Sequence, residues 1–296
     1  MQDRDTPADR YAVIGNPVAH SRSPTIHAAF AAATGQHLVY ERVLAPMDGF
    51  EATVRHFAAA GGRGCNVTVP FKFDAFRLCA GRSERATLAE AANVIRFDAD
   101  GWWADNTDGI GLITDIEQNA GHSIAGQQVL MIGAGGASAG VLGPLLHARP
   151  ARVVVANRTA SKAVALCERH HALADALGVA LEATGLSDAG TGFDLVLNAS
   201  ASSLGGGAPP VSSRTLRAGT LVVDLMYGPA ADGFLTWAQA HGARARDGLG
   251  MLVEQAAAAF ELWRGIRPAT APVLDMLRAQ LRQGALSSGP SDRPLR

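Results

Sequence analysis

A glycine-rich turn between a strand and a helix is the feature that most constrains the fold of this chain. The apolar run Gln128–Ile132 predicts a strand, and Gly133-Ala-Gly-Gly-Ala-Ser follows it directly. The residues after the turn predict a helix ending near Arg149, and Ala151–Ala156 predicts the next strand. This order is a βαβ unit. Its glycines let the backbone approach a pyrophosphate at the helix N-terminus, although a purely structural turn has the same composition.

The same alternation of apolar runs and alanine-rich helical segments extends over the rest of the chain. Further strands are predicted at Tyr11–Ile14, Leu38–Leu44, Gly64–Pro70, Val179–Ala183, Phe193–Leu197 and Thr220–Asp224. Helical stretches lie near residues 24–34, 48–60 and 83–92 and again from Leu249 onward. Strands that alternate with helices are typical of parallel, doubly wound sheets. The predicted fold class is therefore α/β.

A length of 296 residues indicates about two domains. The expected division is an N-terminal α/β domain (1–110), a Rossmann-type doubly wound domain (111–246), C-terminal helices (247–286) and a disordered tail (287–296).

Composition and charge exclude several classes of protein. With 48% hydrophobic and 18% charged residues, the chain is expected to be soluble and globular. Its net charge of −1 indicates no basic face for nucleic acid or anionic lipid. The three cysteines lack zinc-site spacing and the N-terminus lacks an apolar core, which together predict a cytoplasmic protein. The nine histidines show no ligand spacing, so no metal is expected, and His170-His171 is predicted to face solvent.

The end of the second strand of the βαβ unit favours NADP over NAD. An NAD site usually places an acid there for the ribose 2′-hydroxyl, whereas this chain has Asn157-Arg158-Thr159. The planar guanidinium of Arg158 can pair with a 2′-phosphate, and Lys162, one helical turn on, adds charge. Lys162 and Lys72 are the only lysines among 26 basic residues. A solvated arginine at the start of a helix remains the alternative.

Two polar clusters in the first half suggest a small-molecule site. Ser21 and Ser23 would face the same way in an extended segment and could meet one oxyanion, although from these residues alone a turn or helix cap before Pro24 is the favoured explanation. Asn66 and Thr68 share one face of a strand that Pro70 is expected to end.

Lys72 lies just beyond that predicted strand end, where sites in α/β proteins gather, and Asp108 lies in a turn further along the chain. Oxidation of an alcohol needs a hydride acceptor and a base, and a lysine oriented by an aspartate can relay the proton. A surface ion pair between Lys72 and Asp108 is an open alternative.

Together these motifs closely resemble one family, shikimate dehydrogenase, the NADP-dependent enzyme of the aromatic amino-acid pathway. The resemblance runs from Tyr11 to about Leu281. It is carried, in order, by GNPVAHSRSPTIH (15–27), NVTVPFK (66–72), DNTDG (105–109), GAGGAS (133–138), NRT (157–159), DLMYGP (224–229) and DGLGMLVEQAAAAFELWRG (247–265). The family fold has an N-terminal substrate domain, a Rossmann-type NADP domain and a C-terminal helix that returns to the first domain.

The resemblance implies a role for each matching residue. Lys72 is the catalytic acid/base and is paired with Asp108. The residues implied to bind shikimate are Ser21, Ser23, Thr68, Asn93, Tyr227 and Gln255. Those implied to bind NADP are Glu84, Gly133, Ala134, Gly135, Gly136, Ala137, Asn157, Arg158, Thr159, Lys162, Leu225 and Gly248. The partners expected are these small molecules, with no nucleic acid or membrane, and the protein would be a monomer or a homodimer.

Three departures from the family motifs bear on substrate preference. Val94 stands where the family commonly has Thr in GAVNT, Ser200-Ala201 where it has Thr-Ser in NATS, and Ala28 where it has Asn in HN. The leading hypothesis is reversible reduction of 3-dehydroshikimate. The alternatives are a quinate/shikimate paralogue with NAD use, and a non-catalytic NADP sensor on the same fold. A short-chain-type reductase is disfavoured because Tyr-x-x-x-Lys is absent near the expected place.

Overall fold

The computed structural model describes residues 7–200 and 211–287, which form two six-stranded sheets with helices around them. The sheets follow one another along the chain. The predicted α/β fold class is confirmed. Ala201 and the tail beyond Ser287, both named in the sequence analysis, lie outside the described residues.

The first sheet is mixed, in the order β2-β1-β3-β5-β6-β4. Its strands are β1 (Asp9–Gly15), β2 (Leu38–Leu44), β3 (Gly62–Val67), β4 (Gly81–Arg82), β5 (Val94–Asp98) and β6 (Gly101–Asp105). β1 is parallel to β2 and β3, whereas β5 is antiparallel to both β3 and β6. Strands β4, β5 and β6 were not predicted from the sequence. The predicted third strand extends to Pro70, whereas β3 ends at Val67.

The second sheet has the strand order of a Rossmann fold. Its strands are β7 (Gln128–Ile132), β8 (Arg152–Asn157), β9 (Ala180–Gly185), β10 (Phe193–Asn198), β11 (Leu216–Asp224) and β12 (Arg244–Arg246). They lie in the order β12-β11-β10-β7-β8-β9, and every neighbouring pair is parallel. The order reverses between β7 and β10, which is where this fold opens a crevice at the carboxyl ends of its strands.

Helices cover both sheets. They are α1 (Ser23–Thr34), α2 (Phe50–Ala59), α3 (Lys72–Leu78), α4 (Glu84–Ala89), α5 (Asp108–Thr114), α6 (Gly136–His147), α7 (Ala160–Leu177), α8 (Asp232–Ala240), α9 (Leu249–Arg264) and α10 (Ala271–Ser287). A π-helical turn, Asp115–Asn119, continues α5. The C-terminal helices return to the first half of the chain, because Val253 and Phe260 of α9 and Leu277 of α10 share one buried cluster with Ile26 and Phe30 of α1.

Side-chain alternation explains how the second sheet buries both faces. Val129 and Met131 of β7 belong to one apolar cluster, whereas Leu130 and Ile132 of the same strand belong to another. Successive side chains of a strand point to opposite faces, so each cluster marks one covered face. An apolar run with no polar alternation therefore indicates a strand covered on both sides.

His170 corrects one expectation. His171 is exposed as predicted, but His170 is fully buried, with Nδ1 2.9 Å from the carbonyl oxygen of Leu166. Helical periodicity explains the difference, since His170 continues the buried stripe of α7 that includes Ala163 and Leu166. Burial lowers the pKa of His170 and favours the neutral ring.

Two structural features do not occur in the described part of the chain. None of its helices combines the length and apolarity needed to cross a bilayer. Across residues 7–200 and 211–287, no three His, Cys, Asp or Glu side chains come together in a way that would hold a metal ion.

Candidate active site

A cleft of 360 Å³ is lined by residues from both halves of the chain. It lies where β1, β3, β10 and β11 end, the position at which α/β folds bind ligands. Its lining includes these residues predicted from the sequence: Ser21, Ser23, Thr68, Lys72, Asn93, Asp108, Ala137, Leu225, Tyr227, Gly248 and Gln255.

The Lys72–Asp108 ion pair lies in this cleft. Lys72 begins α3 and Asp108 begins α5, and Lys72 Nζ lies 2.5 Å from Asp108 Oδ2. The side chains are only 15% and 7% exposed, so the pair is not the surface bridge that the sequence left open. Asp108 Oδ1 accepts a second hydrogen bond, 2.8 Å long, from Asn93 Nδ2. The carboxylate is thus held from two sides and directs the lysine, an arrangement suited to proton transfer.

A chain of amide groups behind the carboxylate of Asp108 fixes its position. Asn93 Oδ1 accepts a 2.8 Å hydrogen bond from the Thr107 backbone N–H, and Asn93 Nδ2 also donates to Gln255 Oε1 at 3.2 Å. Gln255 comes from α9, which approaches α5 closely at Gly111. A Cβ on Gly111 would lie only 2.7 Å from the Gln255 Cβ. Glycine at position 111 therefore lets the two helices bring Asp108 and Gln255 to one site.

The side chains of Ser21 and Ser23 lie together as predicted, but the backbone that carries them is not extended. Ser23 is the first residue of α1 and Arg22 before it is also helical, so the segment is not extended. The Ser21 and Ser23 hydroxyl oxygens nevertheless lie 3.2 Å apart, and the Ser23 N–H donates to Ser21 Oγ at 3.3 Å. Two hydroxyls at the positive end of a 12-residue helix suit an anion such as a carboxylate.

Thr68 lies just beyond the end of β3, beside the end of β1. Its backbone N–H donates to the Ile14 carbonyl at 3.0 Å. A Cβ on Gly15 would come within 2.3 Å of the Thr68 methyl group, so the absence of a side chain at Gly15 makes room for this threonine. Thr68 therefore lies at the carboxyl ends of the parallel strands β1 and β3.

Asn66, which the sequence placed on the same strand face as Thr68, lines the cleft, although it was not among the residues implied to bind shikimate. Its Oδ1 accepts a 2.7 Å hydrogen bond from the Tyr40 hydroxyl, and its Nδ2 donates to the Asn93 carbonyl at 3.2 Å. His27 stacks on Tyr40 with ring centroids 4.2 Å apart, and burial lowers the pKa of His27 to about 3. Asn66 stands two residues before Thr68 in NVTVP, so the strand periodicity already placed it on the lining face.

The glycine-rich turn lies at the end of β7 and begins α6. Gly133 has φ +112°, and a Cβ there would lie 3.0 Å from the Ala199 carbonyl group, so this position requires glycine. Among residues 7–200 and 211–287, leaving aside its chain neighbours and the backbone of α6 itself, no atom lies within 4 Å of the position that a Gly135 Cβ would occupy. Gly135 therefore leaves open space at the N-terminus of α6, which fits a pyrophosphate.

The residues predicted to read the ribose phosphate follow the adjacent strand. Gly133 N–H donates to the Ala156 carbonyl at 2.8 Å, which joins the turn to the end of β8 just before Asn157. Arg158 and Lys162 are exposed, and neither has a carboxylate partner within the described residues. Asn157 Nδ2 donates to the Thr159 carbonyl at 2.9 Å, which shapes the start of α7.

The remaining cofactor candidates lie in two places. Leu225 and Gly248 lie next to one another in the cleft. A Cβ on Gly248 would lie only 2.3 Å from the Leu225 carbonyl oxygen. Glu84 is exposed in the first turn of α4 and is not among the residues that line the cleft. Leu225 and Gly248 therefore lie together in the cleft, whereas Glu84 lies outside its lining.

Comparison with known proteins identifies the family. Three family models match, described as "Shikimate dehydrogenase substrate binding domain" over residues 13–95, "Shikimate / quinate 5-dehydrogenase" over 115–204 and "Shikimate 5'-dehydrogenase C-terminal domain" over 248–278. A relative from Methylibium petroleiphilum named Shikimate dehydrogenase (NADP(+)) is 59% identical over 287 residues, covering 94% of this chain and 98% of the relative. The chain belongs to the shikimate dehydrogenase family. The resemblance drawn from its motifs is confirmed.

Solved structures agree with the family assignment. An Ael1 enzyme from Pseudomonas putida matches with a TM-score of 0.83 and 45% identity, over 91% of this chain and 98% of that one. A shikimate 5-dehydrogenase from Thermus thermophilus, solved with NADP(H) and shikimate, matches with a TM-score of 0.80 and 30% identity, over 92% and 99% of the two chains.

Two of the three departures from the common shikimate dehydrogenase motifs lie away from the cleft. Val94 is fully buried in β5, and Ala28 is exposed on α1. Neither lines the cleft. Ala201, the third, lies outside the described residues. Ser200, which stands at the Thr of NATS, does line the cleft, so the lining differs from the common motif at that position.

Proposed function

We propose that this protein catalyses the reversible NADPH-dependent reduction of 3-dehydroshikimate to shikimate, a step of chorismate and aromatic amino-acid biosynthesis. The observation that carries the proposal is the largely buried Lys72–Asp108 pair, with Nζ 2.5 Å from Oδ2, in a cleft that the serine pair also lines. Relatives at 59% identity that bear the name of this enzyme support it.

Lys72 supplies the proton in this reaction. NADPH, held by the glycine-rich turn and residues 157–162, would supply the hydride that the carbonyl carbon of the substrate needs. Lys72 Nζ–H donates to the carbonyl oxygen, so that the oxygen becomes a hydroxyl and the lysine is left neutral until solvent returns a proton. Asp108 orients Lys72 through Oδ2 while Asn93 holds Oδ1. In the reverse direction, Lys72 is the base that removes the hydroxyl proton.

Substrate recognition follows from the polar lining. Ser21 and Ser23, at the positive end of α1, bind the carboxylate. The hydroxyl groups need donors and acceptors of their own, because an unpaired polar group is costly in a closed site. We assign this role to the following lining residues: Asn66, Thr68, Asn93, Asp108, Tyr227 and Gln255.

The second sheet is assigned to the cofactor. The glycine-rich turn, residues 133–137, would hold the pyrophosphate, and residues 157–162 would hold the adenosine ribose phosphate. We assign Leu225 and Gly248, which line the cleft, to the nicotinamide. Glu84, which does not line the cleft, is assigned to NADP by its family resemblance alone.

We retain the division into a substrate domain (1–110), an NADP domain (111–246) and returning helices (247–286). Helix α5 crosses the first boundary, which places Asp108 at the junction. The protein works in the cytoplasm, as a monomer or a homodimer, with these small molecules as its partners.

Initial rates at the absorbance band of the reduced nicotinamide test the function. Purified protein is assayed with shikimate or quinate, and with NADP or NAD, in all four pairings. We expect turnover chiefly with shikimate and NADP. A quinate preference would favour the second candidate, to which the description "Shikimate / quinate 5-dehydrogenase" points. Folded protein that binds NADP but is inactive in all four pairings would leave only the sensor hypothesis.

Replacing Arg158 by alanine is expected to lower kcat/KM for NADP about thirtyfold and to change the value for NAD less than twofold. Charge-assisted hydrogen bonds to a 2′-phosphate supply a difference of this size, and NAD has no phosphate there. Arg169→Ala is the matched control, since Arg169 lies on α7 and is held by Glu90. Equal losses with both cofactors would contradict the assignment.

A further inference from the structure

Arg42 holds the serine turn from outside the cleft. It lies on β2 at the edge of the first sheet, and its guanidinium reaches the carbonyl oxygen of Ser21. Nε donates at 3.0 Å and a terminal nitrogen donates at 2.6 Å. Two donors of one rigid fork on one oxygen fix the direction of that carbonyl group.

The direction of the Ser21 carbonyl determines how the turn faces the cleft. In a trans peptide, C=O and the following N–H point in opposite directions. Because Arg42 holds the Ser21 oxygen, the Arg22 N–H is directed away from Arg42, at the start of α1. Pro24, the second residue of α1, has no N–H, so this helix end has one backbone donor fewer for an anion. The direction of the Arg22 N–H therefore matters more.

Charge near the serines comes from outside the cleft lining. The serine hydroxyls are neutral, and the ammonium of Lys72 is already paired with Asp108. Neither Arg22 nor Arg42 has a carboxylate partner within the described residues. Glu41, next to Arg42 in the chain, is paired with Arg10 instead.

The positive field of these two arginines reaches the cleft. Burial raises the pKa of Tyr227, a lining residue, and the charges of Arg22 and Arg42 act in the opposite direction. Arg42 therefore orients the turn and, together with Arg22, supplies positive charge that two hydroxyls lack.

We propose that Arg42 is a positioning residue that makes the serine turn selective for a carboxylate over a neutral group of similar shape. This inference rests on the proposed function, in which Ser21 and Ser23 bind the substrate carboxylate. It extends the substrate-recognition set to a residue that does not line the cleft.

The test compares shikimate with its neutral methyl ester. KM and kcat are measured for shikimate, and the inhibition constant is measured for the ester as a competitor. In Arg42→Gln the charge is lost while an amide N–H can still reach the Ser21 carbonyl. We expect KM for shikimate to rise about fivefold, kcat to stay within twofold, and the inhibition constant of the ester to stay within twofold. Arg42→Lys keeps the charge and is expected to retain selectivity within twofold.

Arg10→Gln is the matched control, because Arg10 lies on the adjacent strand β1 and pairs with Glu41. It should leave both constants unchanged. Equal weakening of acid and ester in Arg42→Gln, or no change in either, would overturn the proposal. If Arg42→Gln does not fold, Arg42→His replaces it, and its selectivity should be higher at pH 5.5 than at pH 8.5. Absence of shikimate turnover by the unaltered protein would instead refute the proposed function.

Discussion

Replacement of Lys72 by methionine is expected to lower kcat about a thousandfold, because the reaction then lacks its general acid. Methionine keeps much of the length of the side chain and removes the ammonium that lies 2.5 Å from Asp108. NADP binding should be retained, since Lys72 is assigned to the substrate. Steady-state rates measure the loss of kcat, and fluorescence titration with NADPH checks that the dissociation constant changes less than twofold.

Lys162→Met is the natural control, because the chain has only these two lysines. Lys162 is exposed on α7, and its loss should weaken NADP binding while kcat at saturating cofactor stays within twofold. A Lys72→Met protein that keeps more than a tenth of the original kcat would show that another group transfers the proton.

Local sequence predicted the second sheet well and the first sheet only in part. The βαβ unit around Gly133 is a local pattern, in which apolar runs mark strands that are covered on both faces. The hairpin of β5 and β6 was missed, although Asp100-Gly101 at its turn is a hairpin signal, with Gly101 at φ +138°. β4 has only two residues, too few to show any periodicity.

The geometry of the candidate site could not be obtained from local patterns. Asn93 and Gln255 are 162 positions apart and meet only because α9 packs on α5 at Gly111. Family resemblance singled out both residues, but it did not supply their contact. The contact of Arg42 left no sequence signal at all, because its partner is a backbone carbonyl. Backbone groups are present at every residue, so no side-chain pattern identifies such a partner.

The α5–α9 junction also depends on a buried ion pair that the sequence analysis did not single out. Asp115 follows α5, is fully buried, and receives hydrogen bonds of 2.6 and 2.5 Å from Arg246. Asn119 adds a third at 3.1 Å. The carboxylate lies against α9 so closely that a Cβ on Gly250 would overlap its oxygens. Asp115 thus ties together the end of α5, β12 and the start of α9.

Asp115→Ala is therefore expected to lower the free energy of unfolding by about 4 kcal/mol, because it leaves the largely buried guanidinium of Arg246 without its partner. Urea unfolding followed by tryptophan fluorescence measures the change. Removing both charges in Asp115→Ala with Arg246→Met should cost less than Asp115→Ala alone, since no buried charge then remains unpaired.

The ion pair Arg152–Glu182 serves as a control that shows whether burial or hydrogen-bond geometry causes the loss of stability in Asp115→Ala. It is also bidentate, with hydrogen bonds of 2.8 and 2.7 Å, but its side chains are 35% and 52% exposed. Water screens the charges and solvates whichever one is left, so Glu182→Ala should cost less than about 1 kcal/mol. Similar losses in Asp115→Ala and Glu182→Ala would mean that hydrogen-bond geometry, rather than desolvation, sets the strength of the α5–α9 junction.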